Sequence, residues 1–420
     1  MIDIDKWQEI FHSLSKNPLR TTLTAFGVFW GIFMLVVMMG AGKGLENGAT
    51  KGFAGMATNS LYVWNQSTSK AYNGLPPGRQ MRMTLDDMAA MAQAIPEARI
   101  ISPINQLGGW QGNNSVTRGN RYGTFGVSGN MPNIFEVESP KIIAGRFINP
   151  LDIEEKRKVA VIGPRVREIL FDPEEDPIGD YIYINGVYFK VIGTFDTEQD
   201  GSRGDNATQK IYIPFSTFQQ AFNYGSFVGW IAITSQDNVP VSVAEEKVLK
   251  ILKARHRVAP DDNRAFGHFN LEERFNQMSN TMTGINLLSW FVGICTLIAG
   301  VIGISNIMLV LVKERTKEIG IRRALGARPI SIVSLILMES VFLTTVAGYL
   351  GLMSGLGLLE LYNWAAMEFH LESNFFQDPS VDFSLMVRAL VILVLGGAFA
   401  GFIPARRALS ISPVDALRAD

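Results

Sequence analysis

KERTKEIGIRRALGARPISIV, residues 313–333, is the segment on which the organisation of this chain depends. Six of its side chains are cationic, and only Glu314 and Glu318 are acidic. An uncharged run precedes the segment, and a second apolar run follows it. A short basic loop between two membrane spans faces the cytoplasm. The segment therefore predicts the orientation of every other part of the chain.

The composition of the 420 residues is typical of a membrane protein. Hydrophobic residues make up 47% of the chain and charged residues only 18%, against about 25% in soluble domains. The net charge of −1 gives no indication of a nucleic-acid partner. A single cysteine, Cys295, excludes a disulfide within the chain, and the four histidines have no ligand spacing. We expect no metal site.

Four long apolar runs each exceed the about 20 residues that a membrane helix needs. One acidic residue, Glu339, lies in the third run, and Arg388 lies near the outer end of the fourth. Such runs also occur as buried helices of soluble proteins, but four in one chain favour membrane spans. The predicted spans are residues 21–43, 283–312, 330–359 and 383–403.

The charges of the loops orient these spans. Residues 360–382 form a short loop with five acids and no Lys or Arg, whereas the tail, residues 404–420, begins with PARRAL. The basic segments go inside and the acidic loop outside, so both termini are cytoplasmic. Residues 1–20 predict an amphipathic helix at the cytoplasmic surface. Residues 44–282 then form a large domain outside.

Small residues recur at four-residue spacing within the spans. Such pairs let two helices approach closely in lipid. The alternative is that glycine is simply tolerated in membrane helices. The predicted packing positions are Gly27, Gly31, Gly351, Gly355, Gly397 and Gly401.

The outer domain shows two kinds of pattern. Residues of about 55–105 and about 228–275 each predict a strand, a helix and a strand, which indicates a split βαβ arrangement. Thr84 and Asp87 predict a capping box at the first of these helices. Residues of about 106–227 alternate in short strands and turns, which indicates a β-rich insertion.

The insertion holds two further signals. Asn185-Gly186 lies between two alternating runs and predicts a β-hairpin. The polar loop 196–209 is rich in aspartate but lacks the spacing of a calcium-binding loop. The predicted fold class is a membrane all-α four-helix transmembrane domain plus an α+β extracytoplasmic domain, with a split βαβ subdomain and a β-rich insertion.

The residues contain no catalytic constellation. Gly42-Lys43 is reminiscent of a phosphate-binding loop, but residue 37 is Val and residue 44 is Gly, so the required spacing fails. We expect that the chain is not an enzyme by itself and binds no cofactor. A membrane protein without substrate chemistry, but with one basic cytoplasmic segment, suggests transport or transmission powered by a partner.

Three stretches carry a resemblance to a known family. NPLRTTLTAFGVFWGI (17–32), VKERTKEIGIRRALGARPISIVSLILMES (312–340) and IPARRALSISPVDALRAD (403–420) resemble the MacB/FtsX-type permeases of ABC transporters. The outer stretch FGVSGNMPNIFEV (125–137) is similar to the extracytoplasmic domain of the MacB-type members. The resemblance covers nearly the whole chain, in the same order.

The resemblance implies a dimer, made with a second copy or a paralogue, in a bacterial inner membrane. It also implies two cytoplasmic ATP-binding subunits that hold ATP and Mg²⁺. Since the chain begins almost at the first span, we expect the ATPase on a separate polypeptide. ATP-driven closure inside would then move the outer domains, which is mechanotransmission.

The resemblance also implies that residues 313–329 are a coupling segment that docks on the ATP-binding subunit. The alternative is that its cations serve only topology and lipid headgroups. Glu318 and Arg322 stand four apart, in the favourable order for a helical ion pair. The family's coupling role is carried onto Glu318, Arg322, Arg323, Ala324, Leu325, Gly326 and Ala327.

Among the functions of such permeases we expect efflux, through a periplasmic adaptor to an outer-membrane channel. One alternative is a permease that releases lipoproteins from the membrane. Another is a transmitter that controls a cell-wall hydrolase or passes a stress signal. The β-rich insertion favours the first two, because the cell-division members have smaller outer domains.

Overall fold

The computed structural model describes residues 18–51, 55–109, 112, 114–197, 206–369 and 376–410. The chain divides into two compact units. The first comprises the residues up to Gly48 and those from Asn280 onward, and we call it the membrane unit. The second, from Ala49 to Ser279, is the outer unit.

The helices and strands are numbered in chain order. The helices are α1 (Pro18–Lys51), α2 (Leu85–Ala94), α3 (Phe135–Glu138), α4 (Pro150–Glu154), α5 (Pro164–Leu170), α6 (Phe215–Ala221), α7 (Val241–Arg255), α8 (Leu271–Glu314), α9 (Thr316–Ala324), α10 (Pro329–Glu368) and α11 (Phe383–Leu409). The strands are β1 (Ser60–Asn65), β2 (Met83–Thr84), β3 (Ala98–Gln106), β4 (Asn114–Arg118), β5 (Arg121–Asn130), β6 (Lys141–Gly145), β7 (Val159–Ile162), β8 (Tyr181–Ile184), β9 (Val187–Asp196), β10 (Lys210–Pro214), β11 (Phe227–Val228), β12 (Trp230–Ser235) and β13 (Phe266–Asn270).

Four of the described helices, α1, α8, α10 and α11, are long and apolar enough to cross a membrane. They contain 34, 44, 40 and 27 residues, so each exceeds the length that a bilayer requires. α1 continues to Lys51, past the expected end of the span at 43, and α8 begins before the expected start at 283. Apolar side chains from all four helices share one core, which includes Val28, Ile32, Ile304, Leu352 and Leu393.

The outer unit is built on one large mixed sheet. Among the described residues, eleven strands join it, ten of them in the order β10-β7-β9-β8-β4-β5-β3-β12-β1-β13, with β6 beside β9. β10 also pairs with β5 in parallel, so six strands (β5, β4, β8, β9, β7 and β10) close into a ring. The β-rich insertion is therefore a small barrel that shares β5 with the flatter part of the sheet.

The alternating pattern of the strands fills this barrel. In β8, Ile182 and Ile184 are buried, whereas Tyr181 and Tyr183, which alternate with them, are exposed. Phe125 and Phe189 belong to the same buried cluster as these two isoleucines. Because successive side chains of a strand point to opposite faces, an apolar residue at every second position lines one interior.

The predicted hairpin at Asn185-Gly186 is confirmed. Ile184 pairs with Val187 across the turn, and both turn residues have positive φ, +40° and +93°. These angles match the turns whose twist suits two antiparallel strands. The hairpin joins β8 to β9 and so sets the register of two walls of the barrel.

The flatter part of the sheet, β3-β12-β1-β13, packs against α2 and α7. Leu61, Ile231 and Val248 lie in this core. The predicted capping box is confirmed, since the Thr84 N–H donates to Asp87 Oδ2 at 2.9 Å. The elements β1, α2 and β3 form one strand–helix–strand segment, and β12, α7 and β13 form the other. Both segments share a continuous sheet with the barrel through the pairing of β3 with β5.

Several predicted segments lie outside the described residues. Residues 1–17 of the predicted amphipathic helix and residues 411–420 of the predicted tail are not described. The same is true of residues 198–205 in the predicted loop 196–209 and of residues 370–375 in the predicted outer loop 360–382.

A buried carboxylate ties two loops of the outer unit together. Asp262 accepts hydrogen bonds from the Ser69 N–H at 2.7 Å, the Ser69 hydroxyl at 2.8 Å, the Lys70 N–H at 3.1 Å and the Arg264 N–H at 3.0 Å. Burial opposes its ionisation, but these hydrogen bonds outweigh burial and lower the pKa of Asp262 from 3.8 to about 2.

The substitution Asp262→Asn is expected to destabilise the outer unit at neutral pH. Because the folded-state pKa is depressed, the ionised group stabilises the fold above about pH 4, and this stabilisation is lost as the pH falls towards 2. The loss in unfolding free energy should be about 2 kcal/mol near neutrality, and should shrink on acidification. Chemical denaturation of both proteins across this pH range measures it. Asp261→Asn, which removes an exposed partner of Lys70, is the control; an equal loss there would contradict the assignment.

Candidate functional site

The basic segment between α8 and α10 forms a short helix held between two breaks. Arg315, with φ −94° and ψ +11°, separates α8 from α9. At the other end Gly326 has φ +89°, its N–H donates to the Arg323 carbonyl, and the Ala327 N–H donates to the Arg322 carbonyl. This pair of bonds is a Schellman motif, which requires a left-handed residue and so favours glycine. Pro329 then starts α10 at a position where its missing N–H has no cost.

The two sides of α9 differ in burial. Ile319 and Gly320 are buried among the spans. Ile321 is 43% exposed and Leu325 is 82% exposed. Exposed apolar side chains are common singly, but two adjacent ones at the end of a helix form a small contact surface. We call Ile321, Ala324, Leu325 and Gly326, all of them exposed, the coupling tip.

The arginines of α9 have different partners. Arg322 Nη2 donates to Glu318 Oε1 at 2.8 Å, an exposed pair one helical turn apart. Arg323 Nη1 instead donates to the carbonyl oxygen of Leu409, the last residue of α11, at 2.8 Å. A cation at a helix C-terminus also compensates its dipole. The seven residues predicted for coupling thus have different environments. Glu318 and Arg322 form an exposed ion pair, and Arg323 faces α11. Ala324, Leu325 and Gly326 are exposed, and Ala327 is half-buried.

An ion pair that the sequence reasoning did not assign lies beside α9. Arg315 Nη1 is 3.8 Å from Glu339 Oε2, with the two side chains 17% and 2% exposed. They border a small apolar pocket lined in part by Met308, Ile319 and Ile336. The sequence does contain a signal for this pair, because Glu339 is a lone acid in an apolar run and such a residue needs a partner within the protein. The sequence did not say which of the six cations it would be.

The predicted packing glycines lie where helices cross. A Cβ at Gly27 would lie 3.8 Å from the Gly300 Cα of α8, and one at Gly31 would lie 3.4 Å from Thr296 of the same helix. Gly351 and Gly355 of α10 face α1. A Cβ at Gly351 would lie 2.5 Å from the Phe29 carbonyl oxygen, and one at Gly355 would lie 2.8 Å from Val36.

The last pair joins α11 to α10. A Cβ at Gly397 would meet Thr344, and one at Gly401 would meet Ser340. The Ser340 hydroxyl donates to the Gly397 carbonyl at 2.7 Å, a buried hydrogen bond between the helices. A Cβ would thus lie within 3.0 Å of the neighbouring helix at Gly351, Gly355, Gly397 and Gly401, whereas one at Gly27 or Gly31 would make ordinary van der Waals contact.

Metal-binding geometry is absent from the part of the chain that the structure describes. Within it, no three side chains of His, Cys, Asp or Glu are grouped so as to hold an ion. The contacts of the basic segment are structural or exposed, and none pairs a nucleophile with a base. What the arrangement offers is a short helix with one exposed apolar end.

Comparison with known families covers both units. The model of the MacB-like periplasmic core domain matches residues 21–251, more than half of the chain. The model of the FtsX-like permease C-terminal domain matches residues 290–413. The chain belongs to the MacB/FtsX-type family of ABC transporter permeases. The permease is therefore a multi-pass membrane protein, and its outer unit is a periplasmic domain.

Individual relatives cover almost the whole permease. It is 32% identical over 422 residues to the pyoverdine export ATP-binding/permease protein PvdT of Pseudomonas putida. It is 28% identical over 419 residues to the macrolide export ATP-binding/permease protein MacB of Vibrio parahaemolyticus. Each alignment includes 99% of this chain and 60% of the relative, so the chain spans well under the full length of these proteins.

One solved structure is similar to about half of this chain. The crystal structure of the periplasmic region of MacB from Actinobacillus actinomycetemcomitans is 20% identical, with a TM-score of 0.43. The match covers 54% of this chain and 96% of that one.

Proposed function

We propose that this permease is the membrane component of an ABC exporter in a bacterial inner membrane. In this proposal an ATP-binding component docks on the coupling tip from the cytoplasm, where both termini of the chain also lie. ATP binding and hydrolysis then change the conformation of the periplasmic domain. The permease itself binds neither ATP nor Mg²⁺. It acts as a dimer, and its periplasmic domain works with an adaptor and an outer-membrane channel.

One observation carries the docking proposal. α9 buries Ile319 and Gly320 against the spans and leaves Leu325 82% exposed at its end. Burying a leucine is favourable by about 1.5–3 kcal/mol, and the surrounding cations supply the polar rim that protein interfaces have. A surface of this kind fits a protein partner better than a lipid headgroup, which the cations alone would attract. Export as the outcome is supported by the names of the relatives.

Purification from native membranes in mild detergent tests the whole proposal. An ATP-binding protein that accompanies the permease, together with an adaptor or outer-membrane channel, is the expected result. An ATP-binding protein with a lipoprotein, or with a kinase or cell-wall hydrolase, would replace export by lipoprotein release or signalling. Absence of any ATP-binding protein would overturn the proposal.

Charge reversal in the exposed pair tests the docking surface. Glu318→Lys and Arg322→Glu are each expected to weaken association with the ATP-binding component by at least about tenfold. The proposal requires that the partner carries charges opposite to those of Glu318 and Arg322, so that each reversal brings like charges together. Membrane insertion should not change, since exposed pairs contribute little to stability. A pull-down of the permease variants, with the ATP-binding component added at increasing concentration, measures the affinity of the two proteins.

The exchanged variant, Glu318→Arg with Arg322→Glu, is the control for helix stability. It keeps an ion pair on the same turn of α9 but interchanges the two charges. We expect it to bind as weakly as the single variants. Full association of the exchanged variant would show that only the helical pair matters, and association unchanged in all three variants would exclude this surface.

A further inference from the structure

Two contacts fasten α9 to the last two spans. The first is the ion pair of Arg315 with Glu339 of α10. The second is the hydrogen bond from Arg323 to the Leu409 carbonyl at the end of α11. Together we call them the clamp. One holds the beginning of α9 and the other its end, so the helix is restrained at two points about two turns apart.

The buried ion pair carries a large desolvation free energy. Removing two charges from water is expensive, and apolar residues of similar volume usually stabilise a core at least as well. The cost is greater in a membrane helix, where charged side chains mark a function by default. Because both side chains are largely buried, however, the attraction of Arg315 for Glu339 is little screened by salt. Such a pair is better suited to positioning than to stability.

The position of Glu339 decides where a movement of α9 would go. Its neighbour Ser340 donates the buried hydrogen bond to the Gly397 carbonyl of α11. α10 and α11 are thus joined at the turn where α10 receives the ion pair. By contrast, α8 and α9 meet at Arg315, whose backbone departs from helical geometry. The Arg315 N–H still donates to the Leu311 carbonyl, and the Ile319 N–H donates to the Arg315 carbonyl. The junction is therefore a local distortion at one residue, where a bend can form.

We propose that Arg315 and Glu339 are positioning residues that make α9 move as one body with α10 and α11. This inference rests on the proposed function, since it names where a displacement by the ATP-binding component is delivered. The bend occurs at Arg315, between α8 and α9. α8, although continuous in sequence with α9, follows only indirectly.

Distances between paired spin labels test the proposal in the intact permease in nanodiscs. One label replaces Lys317 on α9, and the second replaces either Val346 on α10 or Ile302 on α8, all three of them exposed. Cys295 is replaced by serine, and labelled chains are diluted with an excess of unlabelled ones. Each pair is measured alone, and then with the co-purified ATP-binding component trapped with ATP and vanadate.

In the unsubstituted clamp, trapping is expected to shift the 317–302 distance and to leave the 317–346 distance unchanged. Arg315→Gln or Glu339→Gln should broaden the 317–346 distribution even without nucleotide. The exchanged pair, Arg315→Glu with Glu339→Arg, should narrow the distribution of the 317–346 distance again, because it restores an ion pair. A variant that had only lost packing would stay broad. Arg328→Gln removes an exposed cation of the same segment and should have no effect.

Two results would overturn the proposal. In the first, trapping shifts the distance between labels 317 and 346 as much as the distance between labels 317 and 302. In the second, Glu339→Gln leaves the nucleotide-free distribution of the 317–346 distance as narrow as in the unsubstituted permease. Failure of the proposed function looks different. In that case no ATP-binding component associates and neither distance responds to nucleotide, while the nucleotide-free comparison of the Glu339→Gln and exchanged variants still decides whether the clamp exists.

Discussion

Replacing Gly351 with leucine is expected to prevent stable packing of α1 on α10. A Cβ at this position would lie 2.5 Å from the Phe29 carbonyl oxygen and 3.2 Å from the Phe33 nitrogen. Both are backbone atoms, so no side chain can rotate away and α1 itself must move. Inserting extra atoms into a packed core costs about 1–3 kcal/mol when neighbours can adjust. Here we expect a loss at or above the upper end of that range.

The chain offers a matched control for this substitution. Gly357 lies on the same helix, and a Cβ there would have no atom within 4 Å. Gly357→Leu should therefore leave the thermal unfolding midpoint and the yield of monodisperse protein in detergent close to those of the unsubstituted permease. Gly351→Leu should lower both. Equal behaviour of the two variants would show that the close approach of α1 and α10 does not limit stability.

Replacing Leu325 with aspartate is expected to weaken binding of the proposed ATP-binding component strongly. The side chain is 82% exposed and lies at the end of α9, where Gly326 turns the chain away. Loss of its burial would remove about 1.5–3 kcal/mol, and burying a carboxylate without a partner adds a further penalty. Together these changes should lower the affinity by at least about 100-fold.

Binding of the co-purified ATP-binding component to the detergent-solubilised permease measures this effect. Leu325→Met keeps the apolar area and should bind nearly as well as the unsubstituted chain. Both variants should insert and run normally on size exclusion, because the residue makes no buried contact. An affinity unchanged by Leu325→Asp would show that the partner docks elsewhere, and the coupling tip would lose its assignment.

The elements of this fold are readable from local patterns. An apolar run of sufficient length predicts a membrane helix with few alternatives, because every buried backbone group must be paired within it. The alternation around Asn185-Gly186 and the cap at Thr84 are likewise local signals, and the structure confirms both. The position where α9 ends is also explained locally, by Gly326 with its positive φ and by Pro329 at the start of α10.

Closure of the barrel is not a local property. It depends on β10 pairing with both β7 and β5, across separations in sequence that no periodicity reports. The strands of the insertion were predicted one by one, but their order was not. Parallel pairing of β10 with β5 in particular leaves no turn signal, because parallel strands are never joined by a tight hairpin.

By itself, the sequence determines the number of candidate spans and the family, because these depend on composition and on motifs along the chain. The charge of the loops predicts the orientation of the spans. Only the tertiary structure decides which cation faces Glu339, which helix each glycine meets and which arginine of α9 pairs with Glu318. Those choices depend on distances between residues far apart in sequence. Arg315 and Arg323 turn inward to α10 and α11, and Arg322 stays exposed beside Glu318, although all three are arginines in one short helical segment.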